Sequence, residues 1–167
     1  QYAHLQFVIV KAPTISENLL KQYTQNARIR VQISPENNYD TINLCDLCIV
    51  ASGTATLETA ILKKPMVIVY KTSLITWVLA KCFVKIPHIG LVNIVAGERI
   101  VPECIQFQAT AMNIAREAGQ IFTNPSKLAQ INQGLLKVKQ SLGDPGASNR
   151  AARIIIEAHE DIEDPLP

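Results

Sequence analysis

The residues best suited to chemistry stand in one stretch, Leu47-Cys48-Ile49-Val50-Ala51-Ser52-Gly53-Thr54-Ala55-Thr56-Leu57-Glu58. A short apolar run of the kind that forms a buried parallel strand breaks at Ser52-Gly53-Thr54 and passes into a helical pattern with Leu57, Ala60 and Ile61 on its apolar face. Small residues at Ser52 and Gly53 let a ligand approach the main chain. The first N–H groups of the helix, with its dipole, would point at an anion seated there. The chemistry this suits is phosphate binding. Glu58, one turn into the helix, is a carboxylate that can accept hydrogen bonds from sugar hydroxyls without facing the phosphate. A plainer reading stands beside this one, because Ser or Thr ahead of a helix commonly serves only as its N-cap.

A second polar group follows the apolar run Ile86 to Gly97, read as strand residues that end in Asn93 and, soon after, a glycine. Glu98 and Arg99 come next, then Pro102 and Glu103. Ligands of open α/β sheets bind at the carboxyl ends of parallel strands, so these side chains are candidate contacts. An Asn in a loop also serves simply as a turn former. Other chemistries find less support. His4, His88 and His159 have no Ser, Cys or carboxylate partner at a triad spacing, and no His, Asp and Glu cluster has metal-ligand spacing. Cys45 and Cys48 form a Cys-x-x-Cys pair, but it closes a helix and enters a strand, whereas a redox pair follows a strand and opens a helix. Buried structural cysteines are the expectation, and no cofactor is implied.

The elements that must position these residues alternate. Leu5 to Val10 and Ile29 to Ile33 read as strands separated by a helix that starts at Pro13-Thr14 and carries Ile15, Leu19, Leu20 and Tyr23 on one face. A short helix is expected within Asn37 to Asp46. Pro65 stops the cradle helix, and Met66 to Tyr70 is a further buried strand. Ser73 caps a helix from Leu74 to Val84 that is apolar around much of its circumference, with Trp77, Val78, Ala80 and Phe83, flanked by Lys71 and Lys85 and interrupted by Lys81. Such a helix packs on the sheet or on a second subunit, or lies on an anionic bilayer surface. Three helical patterns finish the chain, Thr110 to Phe122, Pro125 to Leu142 and Ala147 to Glu160, with a break at Gly143-Asp144-Pro145-Gly146. Strands alternating with helices predict a doubly wound parallel sheet of Rossmann-like α/β class over residues 1–160, followed by a tail over 161–167.

Composition narrows the classes. One domain of 167 residues can bury a core without disulfide or metal staples, and 48% hydrophobic with 5% aromatic residues suits a packed α/β domain. Sixteen basic against 14 acidic residues, with no basic run, offers no face for nucleic acid. No stretch of 18 apolar residues is present to span a membrane. Four cysteines scattered through core-like elements suit a reducing cytoplasm. The abrupt opening at Gln1 reads as a piece of a longer protein.

At this point a family resemblance enters. The segments Ala51 to Glu58, Lys64 to Lys71, Leu91 to Gly97, Val101 to Gln106 and Gly146-Ala147-Ser148-Asn149-Arg150-Ala151-Ala152 resemble, in order and spacing, successive motifs of lipid-A-disaccharide synthase. Val92 stands where that family usually has proline, and Glu98-Arg99 reverses its usual order. The resemblance implies the C-terminal, nucleotide-sugar-binding domain of an inverting, metal-independent GT-B glycosyltransferase. The reaction implied joins UDP-2,3-diacylglucosamine to 2,3-diacylglucosamine 1-phosphate in lipid A biosynthesis, in the cytoplasm at the periphery of the inner membrane. Ser52, Gly53, Thr54 and Glu58 would contact UDP, Asn93 the donor sugar or its phosphates, and Glu103 and Gln106 would line the same cleft. The family's Gly-Ser-Arg phosphate-binding turn and its general base lie outside this chain. The resemblance therefore implies no catalytic residue here and an inactive isolated chain. A homo-oligomer is compatible with it. The alternatives are another UDP-sugar transferase, a nucleotide-sugar 2-epimerase, or a non-catalytic binding or oligomerisation module.

Overall fold

A computed structural model describes residues 4–12, 14–34, 38–83 and 87–163. Its first part runs β1 (Phe7–Val10), α1 (Glu17–Thr24), β2 (Val31–Ser34) and α2 (Asn38–Leu44). The second runs β3 (Cys48–Ala51), α3 (Ala55–Ile61), β4 (Met66–Tyr70), α4 (Leu74–Phe83), α5 (Leu91–Ala96), β5 (Glu103–Ile105), a 3-10 turn over Gln106–Gln108, and α6 (Ala111–Thr123), α7 (Pro125–Ser141) and α8 (Ala147–Glu163). Every ladder is parallel: β1 pairs with β2, β3 with β4 and β4 with β5. The class is α/β with parallel sheets, as the alternation predicts. The expected single sheet is instead two, β1-β2 and β3-β4-β5, because no ladder joins β1 to β3.

The local chemistry explains most of these elements. Ser16 caps α1 by accepting from the Leu19 N–H, Thr110 caps α6 through Asn113 N, and Asn124 caps α7 through Lys127 N, with Pro125 at the position where a missing N–H costs nothing. The core gathers around β4: Met66, Val67 and Ile68 are sealed from solvent against Val50, Ala60, Val92, Val101, Ile121, Leu135 and Val138. Burying side chains of this size stabilises the fold by roughly 1.5–3 kcal/mol each. Among the described residues, all of the buried apolar side chains lie between Val50 and Val138.

Two sequence expectations are corrected. The run read as a strand ending in Asn93 is helix α5 over Leu91–Ala96. Gly90 stands at its N-cap and Gly97 closes it at φ +69°, a left-handed C-cap that costs glycine nothing. The strand of that region is β5, Glu103–Ile105, which follows the helix. The last helix extends to Glu163, so residues 161–163 of the expected tail are helical, and 164–167 lie outside the described residues. Smaller differences are the start of α1 at Glu17 rather than Pro13-Thr14 and the shift of β2 to Val31–Ser34. Pro13, Val84 and Lys85 lie outside the described residues.

Candidate functional site

β3 delivers the turn. Its ladder with β4 continues one residue past the strand, where Ser52 N–H donates to Val69 C=O at 2.9 Å. The Ser52 hydroxyl donates to Ile89 C=O at 3.0 Å, pinning the turn to the segment that leads into α5. Gly53 then adopts φ +156°, and nothing lies within 4 Å of where a Cβ would stand. The backbone there is open to close approach. Its carbonyl is turned away and engaged, accepting from Thr56 N–H at 3.1 Å and from the Thr56 hydroxyl at 2.8 Å.

Thr54 occupies the N-cap position of α3 in helical conformation and makes no side-chain capping bond. Thr54 therefore does not cap the helix through its side chain. Among the described residues no acceptor meets the N–H groups of Gly53, Thr54 and Ala55. Helix starts leave such donors for side chains, water or a ligand. The carboxylate of Glu58, half-buried one turn along α3, makes no hydrogen bond or ion pair among the described residues.

Asn93, Glu103 and Gln106 have a different setting. Asn93 is fully buried in α5, and its amide is saturated. Nδ2 donates to Val101 C=O at 3.0 Å and Glu103 Oε1 at 2.8 Å, while Oδ1 accepts from Ile100 N–H at 3.0 Å and Val101 N–H at 3.1 Å. The buried carboxylate of Glu103, on β5, also accepts from Gly90 N–H at 3.0 Å and Ile89 N–H at 3.1 Å. It thus holds the first turn of α5, where a Cβ on Gly90 would collide with Ile68 Cδ1. Gln106, also buried, sits at φ +50° and pairs with both backbone groups of Thr72, accepting its N–H at 3.0 Å and donating to its C=O at 2.9 Å. That side chain ties the carboxyl end of β5 to the residue just beyond β4.

The fold therefore links Ser52 to Glu103 and Asn93 through the two backbone groups of Ile89, and it joins Gln106 to Thr72. Sequence reading missed Ile89, Gly90 and Thr72, because they act through main-chain atoms that residue type does not reveal. Two cavities lie away from the turn. One of about 500 Å³ is lined by Arg99, Glu117, Lys127 and Lys137 among others, and one of about 250 Å³ by Arg99, Glu103, Cys104 and Arg116 among others. None of Ser52, Gly53, Thr54 or Glu58 lines either. Lys127 is fixed between Glu117 Oε2 at 3.1 Å and Gln120 Oε1 at 2.7 Å.

The cysteines are free thiols at Cys45, Cys48 and Cys104. Burial, and then the neighbouring Cys45, push the Cys48 thiol up to about 12, far from the reactive thiolate range. Among the described residues no three His, Cys, Asp or Glu stand together to hold a metal ion, and no helix is long and apolar enough to cross a membrane.

Comparison with known proteins decides the family. The Lipid-A-disaccharide synthetase family model matches residues 1–157. The chain belongs to this family. Among its relatives, a lipid-A-disaccharide synthase from Geobacter sulfurreducens is 38% identical over 157 residues, covering 94% of this chain and 41% of the relative. One from Geobacter metallireducens is 37% identical over the same shares, and one from Myxococcus xanthus is 32% identical over 92% of this chain and 40% of the relative. The chain thus spans about two fifths of the length of the curated relatives it matches. Within the family region lie both the open turn at Ser52 and the saturated cluster around Glu103.

Proposed function

We propose that this chain is the UDP-donor half of a lipid-A-disaccharide synthase, the C-terminal Rossmann-like domain of a GT-B glycosyltransferase, occupying residues 1–160. The observation that carries the reading is the start of α3, where the N–H groups of Gly53, Thr54 and Ala55 meet no acceptor among the described residues and space is open at Gly53. The donor's diphosphate would sit there, its charge met by those N–H groups and the helix dipole. Glu58 would accept the ribose hydroxyls. Asn93 and Glu103 would act on the donor by holding Ile89 and Gly90 against Ser52, and Gln106 by fixing Thr72, rather than by touching it with side-chain atoms already engaged.

In the reaction, the 6-hydroxyl of 2,3-diacylglucosamine 1-phosphate attacks the anomeric carbon of UDP-2,3-diacylglucosamine from the face opposite UDP. The new C–O bond forms as the C–O bond to the diphosphate breaks, and the hydroxyl proton passes to a general base. This chain supplies the site that stabilises the departing diphosphate. The base and the acceptor pocket come from elsewhere in the enzyme, so the chain alone is inactive. Calorimetric titration with UDP tests the reading. The chain, or the full-length enzyme if the chain binds too weakly, shows saturable binding, and Ser52→Ala and Glu58→Ala each weaken it about tenfold, equivalent to ~1.4 kcal/mol. Full-length enzyme that bound UDP unchanged in both variants would sink it.

A lipid donor brings the enzyme to a cytoplasmic membrane surface, peripherally. α4 suits such contact. Leu74, Ile75, Val78 and Leu79 are exposed, no acidic residue occurs between Glu58 and Glu98, and Lys63, Lys64, Lys71, Lys81 and Lys85 lie in that interval. Vesicles containing phosphatidylglycerol should retain the full-length enzyme, and Ile75→Ser with Val78→Ser should release it. Equal retention of wild type and variant would remove α4 from the contact.

A further inference from the structure

We infer that Arg99 and Arg116 form a second anion site, for inorganic phosphate or a phosphate monoester, on the outer edge of β5 and apart from the donor turn. Both arginines line the cavity of about 250 Å³, together with Gln108, Asn113 and Cys104. It has room for a phosphate group and the first atoms of whatever bears it. Neither of the two carboxylates that line the cavity is free to pair with the guanidinium groups. Glu103 is buried and accepts from Ile89 N–H, Gly90 N–H and the Asn93 amide. Glu117 is held by Lys127, whose Nζ stands 3.1 Å from Oε2, while Arg116 Nη2 is 3.8 Å from Oε1, too far for a hydrogen bond. Arg99 makes no ion pair among the described residues. Its Nη2 donates to Glu103 C=O at 3.3 Å, which fixes the guanidinium against the strand and leaves its other N–H groups for a ligand.

The strand edge supplies a further donor. β5 ends the order β3-β4-β5, and Ile68 N–H on β4 donates to Pro102 C=O. By alternation the backbone groups of Glu103 face away from β4, the side on which Arg99 meets its carbonyl, so the Glu103 N–H points there too. The field of the two arginines is already felt at this place. Burial and then Glu117 push the Cys104 thiol up, while Arg99 and Arg116 draw it down. Two guanidinium groups around one thiol stand within reach of a single anion. Their planar forks match phosphate oxygens in twos, and a dianion suits two of them. The donor turn lies elsewhere: it follows β3, two strands or roughly 10 Å across the sheet, and none of its residues lines this cavity. The inference does not rest on the donor reading.

Titration of the full-length enzyme with inorganic phosphate, with and without saturating UDP and followed by the arginine Nε–H resonances, tests it. Saturable shifts of Arg99 and Arg116 are expected, with affinity about fivefold weaker in Arg99→Gln and in Arg116→Gln, a modest factor because solvent screens the pair. The Arg116 side chain is 60% exposed, so its variant keeps the fold even if Arg99→Gln loosens β5. Ser52→Ala, a change at the donor turn, should leave the phosphate affinity as it is. Phosphatidylcholine vesicles with phosphatidic acid, whose headgroup is a phosphate monoester, separate the two sources. Retention of wild type that both variants lose assigns a lipid phosphate, and phosphate binding without such retention assigns a free one. Phosphate and vesicle binding unchanged in both variants overturns the inference. So does phosphate binding seen only in the absence of UDP, which would put the phosphate in the donor turn. UDP binding that fails while the arginine shifts persist would refute the donor reading alone.

Discussion

The turn at Ser52 to Ala55 and the cluster around Glu103 hold similar small and polar residues, yet their hydrogen-bonding groups end in opposite states. At the turn, three N–H donors have no acceptor among the described residues, and the Thr54 hydroxyl declines its capping position. In the cluster, the Asn93 amide makes four bonds and the Glu103 carboxylate accepts three, on two buried side chains. A saturated buried network specifies one arrangement and holds it rigidly. An open helix start gives up some of its own stability and keeps donors ready for an anion. Ile89 joins the two, donating to Glu103 and accepting from Ser52. On the proposed reading the cluster is the support and the turn the contact surface.

The widest separation between them should appear in unfolding. Glu103→Ala leaves the N–H groups of Ile89 and Gly90 and one N–H of Asn93 without an acceptor, and each such orphan costs about 1–3 kcal/mol where it is buried. We expect a loss of about 3 kcal/mol or more in urea unfolding, and a loss of about 1–3 kcal/mol for Asn93→Ala, which leaves Val101 N–H without an acceptor while Ile100 N–H keeps Glu98 C=O. If either variant kept full stability and lost only UDP affinity, the cluster would be a contact surface and the comparison would break.

Gly53→Ala should behave in the reverse sense. Space around it is open, so the folding cost is confined to the backbone at φ +156°, about 1 kcal/mol. The added methyl group would stand where the donor's phosphates approach, and UDP affinity should fall by more than the stability does. The check is calorimetry beside urea unfolding on the same variant. Equal UDP affinity in wild type and Gly53→Ala would mean that the turn does not meet the ligand.

How far the sequence anticipates these two regions depends on what each is made of. The strand-turn-helix at Val50 to Glu58 is legible because apolar run, small residues and helical spacing fall in sequence order. Four strands and most helices are legible for the same reason, with Pro65, Pro125 and Gly143 marking their limits. The segment Leu91-Val92-Asn93-Ile94-Val95-Ala96 misleads, since its β-branched residues favour a strand. Gly90 and Gly97, spaced to open and close a short helix, are the signal that outweighs them, and burial of Val92 and Asn93 completes the helix. β5 is obscured by Glu103, a carboxylate that reads as surface until its three N–H partners are seen. The division into two sheets leaves no local mark, because strand order is set by tertiary packing and not by the residues of any one strand.

The finest test addresses the joint. Ser52→Ala removes one hydrogen bond, to Ile89 C=O, from a half-buried position, and should cost about 0.5–1.5 kcal/mol in unfolding. Glu103 still holds Ile89 and Gly90 from the other side, so the cluster should survive and only the turn loosen. Amide exchange separates these outcomes. The N–H groups of Ser52 and Thr56 should open several-fold faster in the variant, while those of Gly90 and Val101 stay as protected as in wild type. Faster exchange at Gly90 and Val101 too would mean that the support depends on the turn as much as the turn on the support.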